Sequence, residues 1–591
     1  SYHYQYRVTS IALDGITESV FVKATGVSGA GITGITNANP GVIASTAHGR
    51  AVNDEVYISG ISGMTLSGFY RVGTVPDVNH ITLVDDTGGA VNTTSLGTWT
   101  AGGTVVPVFT VNNVFVAGGQ NTITWTAATG ASRYNVYKSQ GGVYGFIGST
   151  TTTSFVDDNI AADMSKTPPT YDTIFASSTN YPAAVSYYEQ RRVFGGTITQ
   201  PQNLWMTKSA TESVMSYSLP VRDDDRIAIR VAAREANTIR HIVPMQSLVL
   251  LTSAAEWRVT SVNSDAITPT SISVKPQSYI GANNVQPVLI NTSLIYASAR
   301  GGHVRELQYA WQANGFSSGD LSIRAPHLFD NRNILDMAYS KAPYPTVWMV
   351  SDFGTLLGLT YVPEQEIGSW HWHDTQGTFE SICVVSEGNE DYLYAVIKRT
   401  INGSDVRYIE RLSSRMYTTQ ADAFFVDAGA TYNGAPTTTV SNLYHLEGMT
   451  VSIFADGAVH ATRVVVAGSV RLDYPASKVT IGLAYTCDAQ TLPMSGQVDN
   501  AFGQGRPKNI NKVWVRVLRS GAFWAGPDET KLTEKKWRTT ETYGTPPAFK
   551  TDEFELTVSP SWNKSGQLLF RQTDPTPLTI ENVTLEVALG G

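Results

Sequence analysis

The stretch SLVLLTSAAEWRV, residues 247–259, is an apolar run, a turn of small residues and a second run that alternates around Trp257. It reads as strand, turn and strand, because each apolar run is too short and too soon interrupted for a helix. The pattern returns as SLIYASARGGHVRELQY from Ser293, TVWMVSDFGTLLGLTYV from Thr346 and YLYAVIKRTINGSDVRYIERL from Tyr392. Successive starts lie 46, 53 and 46 residues apart. Repeats of roughly 40–50 residues with several strands each are the sequence mark of propeller blades. An earlier match, YYEQRRVFGGT, begins at Tyr187 and a late one, KVWVRVLRSGAFWAG, at Lys512, so six blades are expected. The 120 residues between Tyr392 and Lys512 exceed one blade, which places an inserted β-domain at about residues 423–505. Within it Asp456-Gly457 is a hairpin-turn signal. The best helix candidate is residues 229–241, where RVAAREANTIRH uses good helix formers.

Outward from this core, Pro168-Pro169 marks a linker, so the blades are expected over residues 169–422 and again over 506–591. On the N-terminal side, residues 27–105 are short strands punctuated by glycines. Residues 106–168 place Trp125, Tyr134 and Tyr137 on strands between Gly turns and close on Phe155-Val156-Asp157. Residues 1–26 read as two strands joined at Asp14-Gly15, with Tyr2, Tyr4, Tyr6 and Val8 already alternating. The chain is therefore expected to be mainly β, and its native form to extend upstream of Ser1.

The composition narrows the function classes. The 591 residues carry 42 basic and 50 acidic side chains, a net charge of −8, which argues against a protein that grips nucleic acid through a basic surface. Only 16% of residues are charged, against ~25% in an average domain. Twelve Trp, 28 Tyr and 20 Phe supply several cores and exclude general disorder. Residues 87–132 hold no Asp, Glu, Lys or Arg, yet Gly, Thr and Asn break every apolar run well short of a membrane span, and no membrane anchor is expected. Cys383 and Cys487 form no Cys-x-x-Cys pair; both are expected to stay thiols, buried or partly buried, in a protein assembled in a reducing compartment.

Catalytic and ligand-binding patterns were weighed one by one. Gly29-Ala30-Gly31-Ile32-Thr33-Gly34 spells G-x-G-x-x-G with Asp54 twenty residues on, but ITNANPG follows and cannot start the helix that dinucleotide binding needs. Asp223-Asp224-Asp225 matches a calcium loop or carboxylate cluster in residue type; successive strand residues point to opposite faces, so a solvated turn is the expected reading. His371 and His373 share one strand face between Trp370 and Trp372, with no third zinc ligand in pattern, so cross-strand packing is expected. No Gly-x-Ser-x-Gly elbow or Walker loop occurs. No catalytic residue, metal site or cofactor is assigned, and the chain is read as a non-enzyme. Residues 506–538 carry nine Lys or Arg against three acidic residues, with Trp514, Phe523, Trp524 and Trp537 interleaved. Arg506, Lys508, Lys535, Lys536 and Arg538 are the candidate contacts with an acidic partner subunit or nucleic acid; a solvated face neutralised by acidic neighbours is the other reading.

Three resemblances follow from these residues. Ala47-His48-Gly49, Asp54, Val56, Ile58-Ser59-Gly60, Gly63-Met64 and Leu83 resemble the small β-barrel repeat named after the FCCH domain of ubiquitin-activating enzymes, which implies fold only. NTITWTAATGASRYNVYKSQGGVYGFIGSTTTTSFVDD resembles a fibronectin type III sandwich, and YHYQYRVTSIALDGITES the last hairpin of another. YYEQRRVFGGTITQPQNLWMTKSA, LVLLTSAAEWRV, HVRELQY, LDYPASKVTIGL, KNINKVWVRVLRSGAFWAGP and KWRTTETYGTPPAFKTDEFELTV resemble the tail nozzle proteins of short-tailed bacteriophages, also called tail tubular protein B or tail stabilisation proteins. That resemblance implies a structural protein of the virion tail, assembled in the host bacterial cytoplasm. It implies a homohexameric tube joined to the tail adaptor (head-to-tail connector), supporting fibre, spike or needle proteins and passing double-stranded DNA at ejection. The N-terminal modules are additions to the shorter members of that family. The rival readings are a secreted polysaccharide hydrolase, which needs two carboxylates about 5–10 Å apart in one cleft, and a surface adhesin, which needs a secretion signal.

Overall fold

In the computed structural model the described residues are 5–590 except 20–21, 24–28, 86, 109–118, 263–264, 496, 499–500 and 504. Tyr2, Tyr4 and much of the entry to the 106–168 module thus lie outside them. Strands make up nearly all regular structure, and the helical pieces among the described residues are three-residue 3₁₀ turns. No helix is long and apolar enough to cross a membrane. The chain divides into two compact units, residues 1–284 with 310–317, and residues 285–309 with 318–591.

In the first unit, the 27–105 segment forms a seven-stranded antiparallel sheet that curls on itself. Its two end strands, Ala30–Gly31 and Gly34–Ile35, are separated in sequence only by Ile32 and Thr33. The Ile32 N–H donates to Gly103 O (2.9 Å) and the Thr33 N–H to Ala44 O (2.8 Å), so adjacent residues stitch the two sides together. Ile43, Val56, Ile58, Leu66, Val72, Ile81 and Leu83 fill the interior. The G-x-G-x-x-G run is part of this seam and precedes no helix.

The first strand, Tyr6–Ala12, does not belong to a separate preceding module, as its sequence suggested. It pairs in register with Ala131–Gln140, Ser10 opposite Tyr134, in a four-stranded sheet with Val143–Thr150 and Val22–Lys23. That sheet faces the pair Asn121–Thr124 and Ser154–Asp157 across a core of Val8, Ile123, Tyr134, Val136 and Ile147. The curled sheet is thus inserted between the first two described strands of this sandwich and the rest of it. Two four-stranded antiparallel meanders follow, Ala184–Tyr188 to Ile227–Arg230 and Ile239–Pro244 to Ile272–Ser278. They share a core of Val193, Leu204, Met206, Leu248, Leu250, Trp257 and Val259. The helix expected over residues 229–241 is absent. Ile227–Arg230 pairs with Asn203–Met206, and Ile239 and Ile242 enter the same core from the next strand. Helix propensity amounts to tenths of a kcal/mol per residue, which such burial overrides.

The third meander runs from Val288–Ile290 to Gly315–Asp320, and the fourth, in the second unit, from Ile334–Ser340 to Ile367–His373. A fifth sheet has three strands, Thr378–Glu387, Glu390–Ile401 and Ser404–Arg411. Thr346–Ser351 is buried at every position. Val347 and Met349 pack toward the third sheet with Ile290 and Ile295, while Trp348 and Val350 pack toward the fifth with Phe379, Ile382, Leu393 and Ala395. One strand therefore serves two cores by alternation, which explains why the sequence repeats read as unbroken apolar runs.

The inserted sheet, Asp427–Val440, Val470–Leu483, Thr450–Ala455 and Ala458–Val464, has its own core of Val451, Ile453, Val479 and Ile481, and turns at Asp456-Gly457. After it, Cys487–Gln490 pairs with Leu569–Gln572, beside Phe523–Gly526 and Thr533–Lys535. A second C-terminal sheet places Lys508–Ser520 between Lys550–Thr557 and Ile580–Leu589.

Candidate functional site

A shallow cleft lies between the fourth and fifth sheets. Ser340, Ala342, Tyr344 and Trp348 line it from one side, Glu390, Tyr392 and Arg415 from the other. Its walls are already bonded to each other. Asp391 carboxylate accepts the Lys341 N–H at 2.6 Å and the Ser386 hydroxyl at 2.5 Å, Glu390 accepts the Ser414 hydroxyl at 2.7 Å, and Trp348 Nε1–H donates to Ser340 Oγ at 3.1 Å. The Arg415 guanidinium lies 4.6 Å from the Tyr344 ring centre. A volume of about 50 Å³ leaves room for water, far below the ~300–1,000 Å³ of small-molecule sites.

His371 and His373 do share one strand face, and their imidazoles hydrogen-bond at 2.8 Å between Nδ1 and Nε2. Both rings pack on Trp348, with centroids 5.5 and 5.6 Å away. Loss of hydration, the second imidazole and the Arg415 guanidinium lower His371 to about 4; His373 reaches the surface, yet the chain packed around it and Arg415 lower it to about 4 as well. The pair is thus a neutral, hydrogen-bonded packing element. Among the described residues no three His, Cys, Asp or Glu side chains form a metal-binding group.

The three aspartates at 223–225 point to three tasks, and the solvated turn expected there is solvated only in part. Asp225 is 1% exposed, and its Oδ2 accepts the Ser218 N–H at 2.8 Å and the Arg222 N–H at 2.9 Å. Asp224 pairs with Lys208 at 3.1 Å. The carbonyls of Asp223, Asp225 and Thr207 accept from the buried Arg191 guanidinium at 2.6–2.7 Å. Sequence reading missed Arg191, because a guanidinium that bonds to carbonyls leaves no mark in residue types around it.

The C-terminal basic residues do not form a common patch. Lys508 is 2% exposed, its ammonium donating to Lys564 O (2.9 Å) and Arg506 O (3.3 Å), so burial removes it from the surface expected for it. Arg538 donates to Thr542 O (2.9 Å) and Thr545 O (2.7 Å) and holds its own loop. Lys535 Nζ sits 4.1 Å from the Phe554 ring centre, where the ring's negative face attracts it. Arg506 and Lys536 are exposed. Of the remaining basic residues, Lys512 pairs with Glu555 at 2.8 Å and Arg516 with Glu581 at 3.3 Å on neighbouring strands, and Arg519 donates to Tyr417 O at 3.1 Å. Of the interleaved aromatics, Phe523 and Trp537 belong to cores. Cys383 and Cys487 are free thiols and exposed, not buried as expected, because strands end or face solvent at both positions.

No family model matches this chain, and no curated protein matches it. Its solved structural likenesses include a protein from Lactobacillus plantarum (10% identity, 61% of this chain and 96% of that one, TM-score 0.26). A luciferin-regenerating enzyme (11%, 42% and 96%, TM-score 0.19) and Chaetomium thermophilum Raptor (8%, 51% and 27%, TM-score 0.24) are two others. TM-scores this low leave all three without weight for function.

Proposed function

We propose that the chain is the nozzle protein of a short-tailed bacteriophage, a structural subunit of a homohexameric tube. The observation that carries the reading is the run of five consecutive antiparallel meanders, interrupted after the fifth by a sheet with its own core. Within each unit, neighbouring meanders share apolar cores face to face, as blades of a propeller do. We read the C-terminal strands as completing a six-bladed propeller, and the inserted curled sheet and the sandwich around it as FCCH-like and fibronectin type III-like modules. The sequence stretches that resemble nozzle proteins lie on these same sheets.

A conduit for double-stranded DNA must not trap it, and each neutralised phosphate adds to affinity by releasing counterions. A chain that is 16% charged, with a net charge of −8 and basic residues spent on carbonyls and carboxylates, suits passage better than binding. The tail adaptor would be the axial partner, and fibre, spike or needle proteins the peripheral ones. Native mass spectrometry of the full chain tests the reading. A six-fold mass supports it, and a stable monomer at assembly concentrations removes it.

A further inference from the structure

The fifth sheet ends on a long, exposed edge strand whose charges, Asp405, Arg407, Glu410 and Arg411, pair back onto its own sheet and leave its outer backbone groups uncovered. The last strands of the first three meanders are blunted: Ile227–Arg230 is four residues long, Ile272–Ser278 carries Lys275 and Pro276, and Gly315–Asp320 contains two glycines; that of the fourth, Ile367–His373, is seven residues long without Lys or Pro. Ser404–Arg411 has eight residues, no Pro, no Lys and no register shift against its neighbour. Natural edge strands of this length are usually covered, kinked or charged inward. Here Val406 and Tyr408 are each 38% exposed and Ile409 is 78% exposed. The hairpin fixes which backbone groups are open. Asn402 and Gly403 form its two-residue turn at φ 49° and 79°, and Ile401 faces Ser404. In such a hairpin the residues flanking the turn are hydrogen-bonded to each other, so bonded pairs fall at 404, 406, 408 and 410. The N–H and C=O groups of Asp405, Arg407, Ile409 and Arg411 therefore point away from the sheet.

We propose that this edge pairs with the same strand of a second copy, antiparallel about a two-fold axis at Tyr408. Charge selects the register. Centring on Arg407 or on Ile409 sets Arg407 against itself or against Arg411, and centring on Glu410 sets two carboxylates face to face. Centring on Val406 overlaps only residues 404–408. Centring on Tyr408 places Asp405 opposite Arg411 twice, Arg407 opposite Ile409, and no like charges opposite one another, over residues 405–411. The two Tyr408 rings then meet at a non-hydrogen-bonded position, where side chains approach most closely. The contact is isologous, whereas a nozzle ring closes head to tail, so it is a second kind of contact and does not depend on the ring.

The test is disulfide trapping in the full chain with Cys383→Ser and Cys487→Ser. Non-hydrogen-bonded cross-strand positions have the Cα spacing of about 4.5 Å that a disulfide accepts. Under mild oxidation Tyr408→Cys should give a covalent dimer bridged at 408. Val406→Cys should not, because the axis sets Val406 opposite Glu410. Absence of the 408 bridge, or equal bridging at both positions, overturns the proposal, provided circular dichroism shows both variants folded as the parent is. Sedimentation of the unmutated chain gives a check free of substitutions, since a purely monomeric chain at tens of micromolar also overturns it. Hexamers without the 408 bridge sink the edge pairing and leave the ring. Bridged dimers without hexamers support the pairing and sink the ring.

Discussion

The Lys138 ammonium lies 2.8 Å from the Asp157 carboxylate, and the carboxylate is fully buried. Tyr6 Oη–H donates to Asp157 Oδ2 at 2.6 Å, and the Ile160 N–H to Oδ1 at 2.9 Å. Burial alone would raise this carboxyl; Lys138, Tyr6 and the backbone donor outweigh it and hold it below its usual value. Removing one partner of a buried pair leaves an uncompensated charge, at a cost of about 3–5 kcal/mol. Lys138→Met should therefore destabilise the first unit by that order, read as a lower urea midpoint with an unchanged slope. Replacing both residues by apolar ones should recover much of the loss. Because the folded carboxyl titrates low, its contribution is present above about pH 4 and lost as the pH falls through the folded value.

The histidine pair adds acid sensitivity of the same sign in a higher pH range. Both imidazoles titrate near 4 in the folded chain, against an ordinary value of 6.5, so between these values the unfolded state binds more protons. Stability should be full above about pH 6.5 and decline as the pH falls to about 4. Thermal unfolding across pH 4–7 should show this slope, and His371→Asn with His373→Asn should flatten it. An unchanged slope would mean that the rings are protonated in the fold.

Neighbouring aspartates should behave differently. Asp225→Ala leaves two buried N–H groups without an acceptor and should cost about 2–4 kcal/mol. Asp224→Asn removes a partly exposed ion pair and should stay within about 1 kcal/mol. A glycan-cleaving activity lost in Asp224→Asn would instead favour the hydrolase reading.

On the nozzle reading proposed above, Lys535→Glu together with Lys536→Glu should impair tail assembly, counted by electron microscopy, while the isolated protein shows negligible duplex retention at any salt. Tight, salt-sensitive retention by the unmutated chain would show that it grips DNA.

The two thiols should both titrate with a disulfide reagent in the native protein, and Cys487 the more slowly. Its side chain reaches solvent, but partial desolvation by the chain packed around it and, next, the adjacent Asp488 carboxylate raise its pKa and so lower its thiolate fraction.

What the sequence made legible was governed by local pattern. The apolar runs at Leu248–Thr252 and Thr346–Ser351, and the turns at Asn402-Gly403 and Asp456-Gly457, fall where alternation and turn chemistry put them. What stayed hidden was set by partners far along the chain. Nothing near Tyr6 announces Lys138 as its neighbour, and nothing near Lys508 announces the Lys564 carbonyl that buries it. The candidate contact surface was accordingly the least legible part, because a cluster of basic residues in sequence need not be a cluster in space.

The insertion within the N-terminal sandwich imposes a timetable on synthesis. Ser10 leaves the ribosome 124 residues ahead of Tyr134, its partner in the sheet. At ~5–20 residues per second that is a wait of roughly 6–25 s, during which the strand has only the two-residue Val22–Lys23 beside it. The intervening curled sheet, with a core supplied wholly by residues 32–105, is complete before the wait ends. Its closure brings the waiting strand back toward the chain still emerging, so the cassette that interrupts the sandwich also shortens the search by which it is finished.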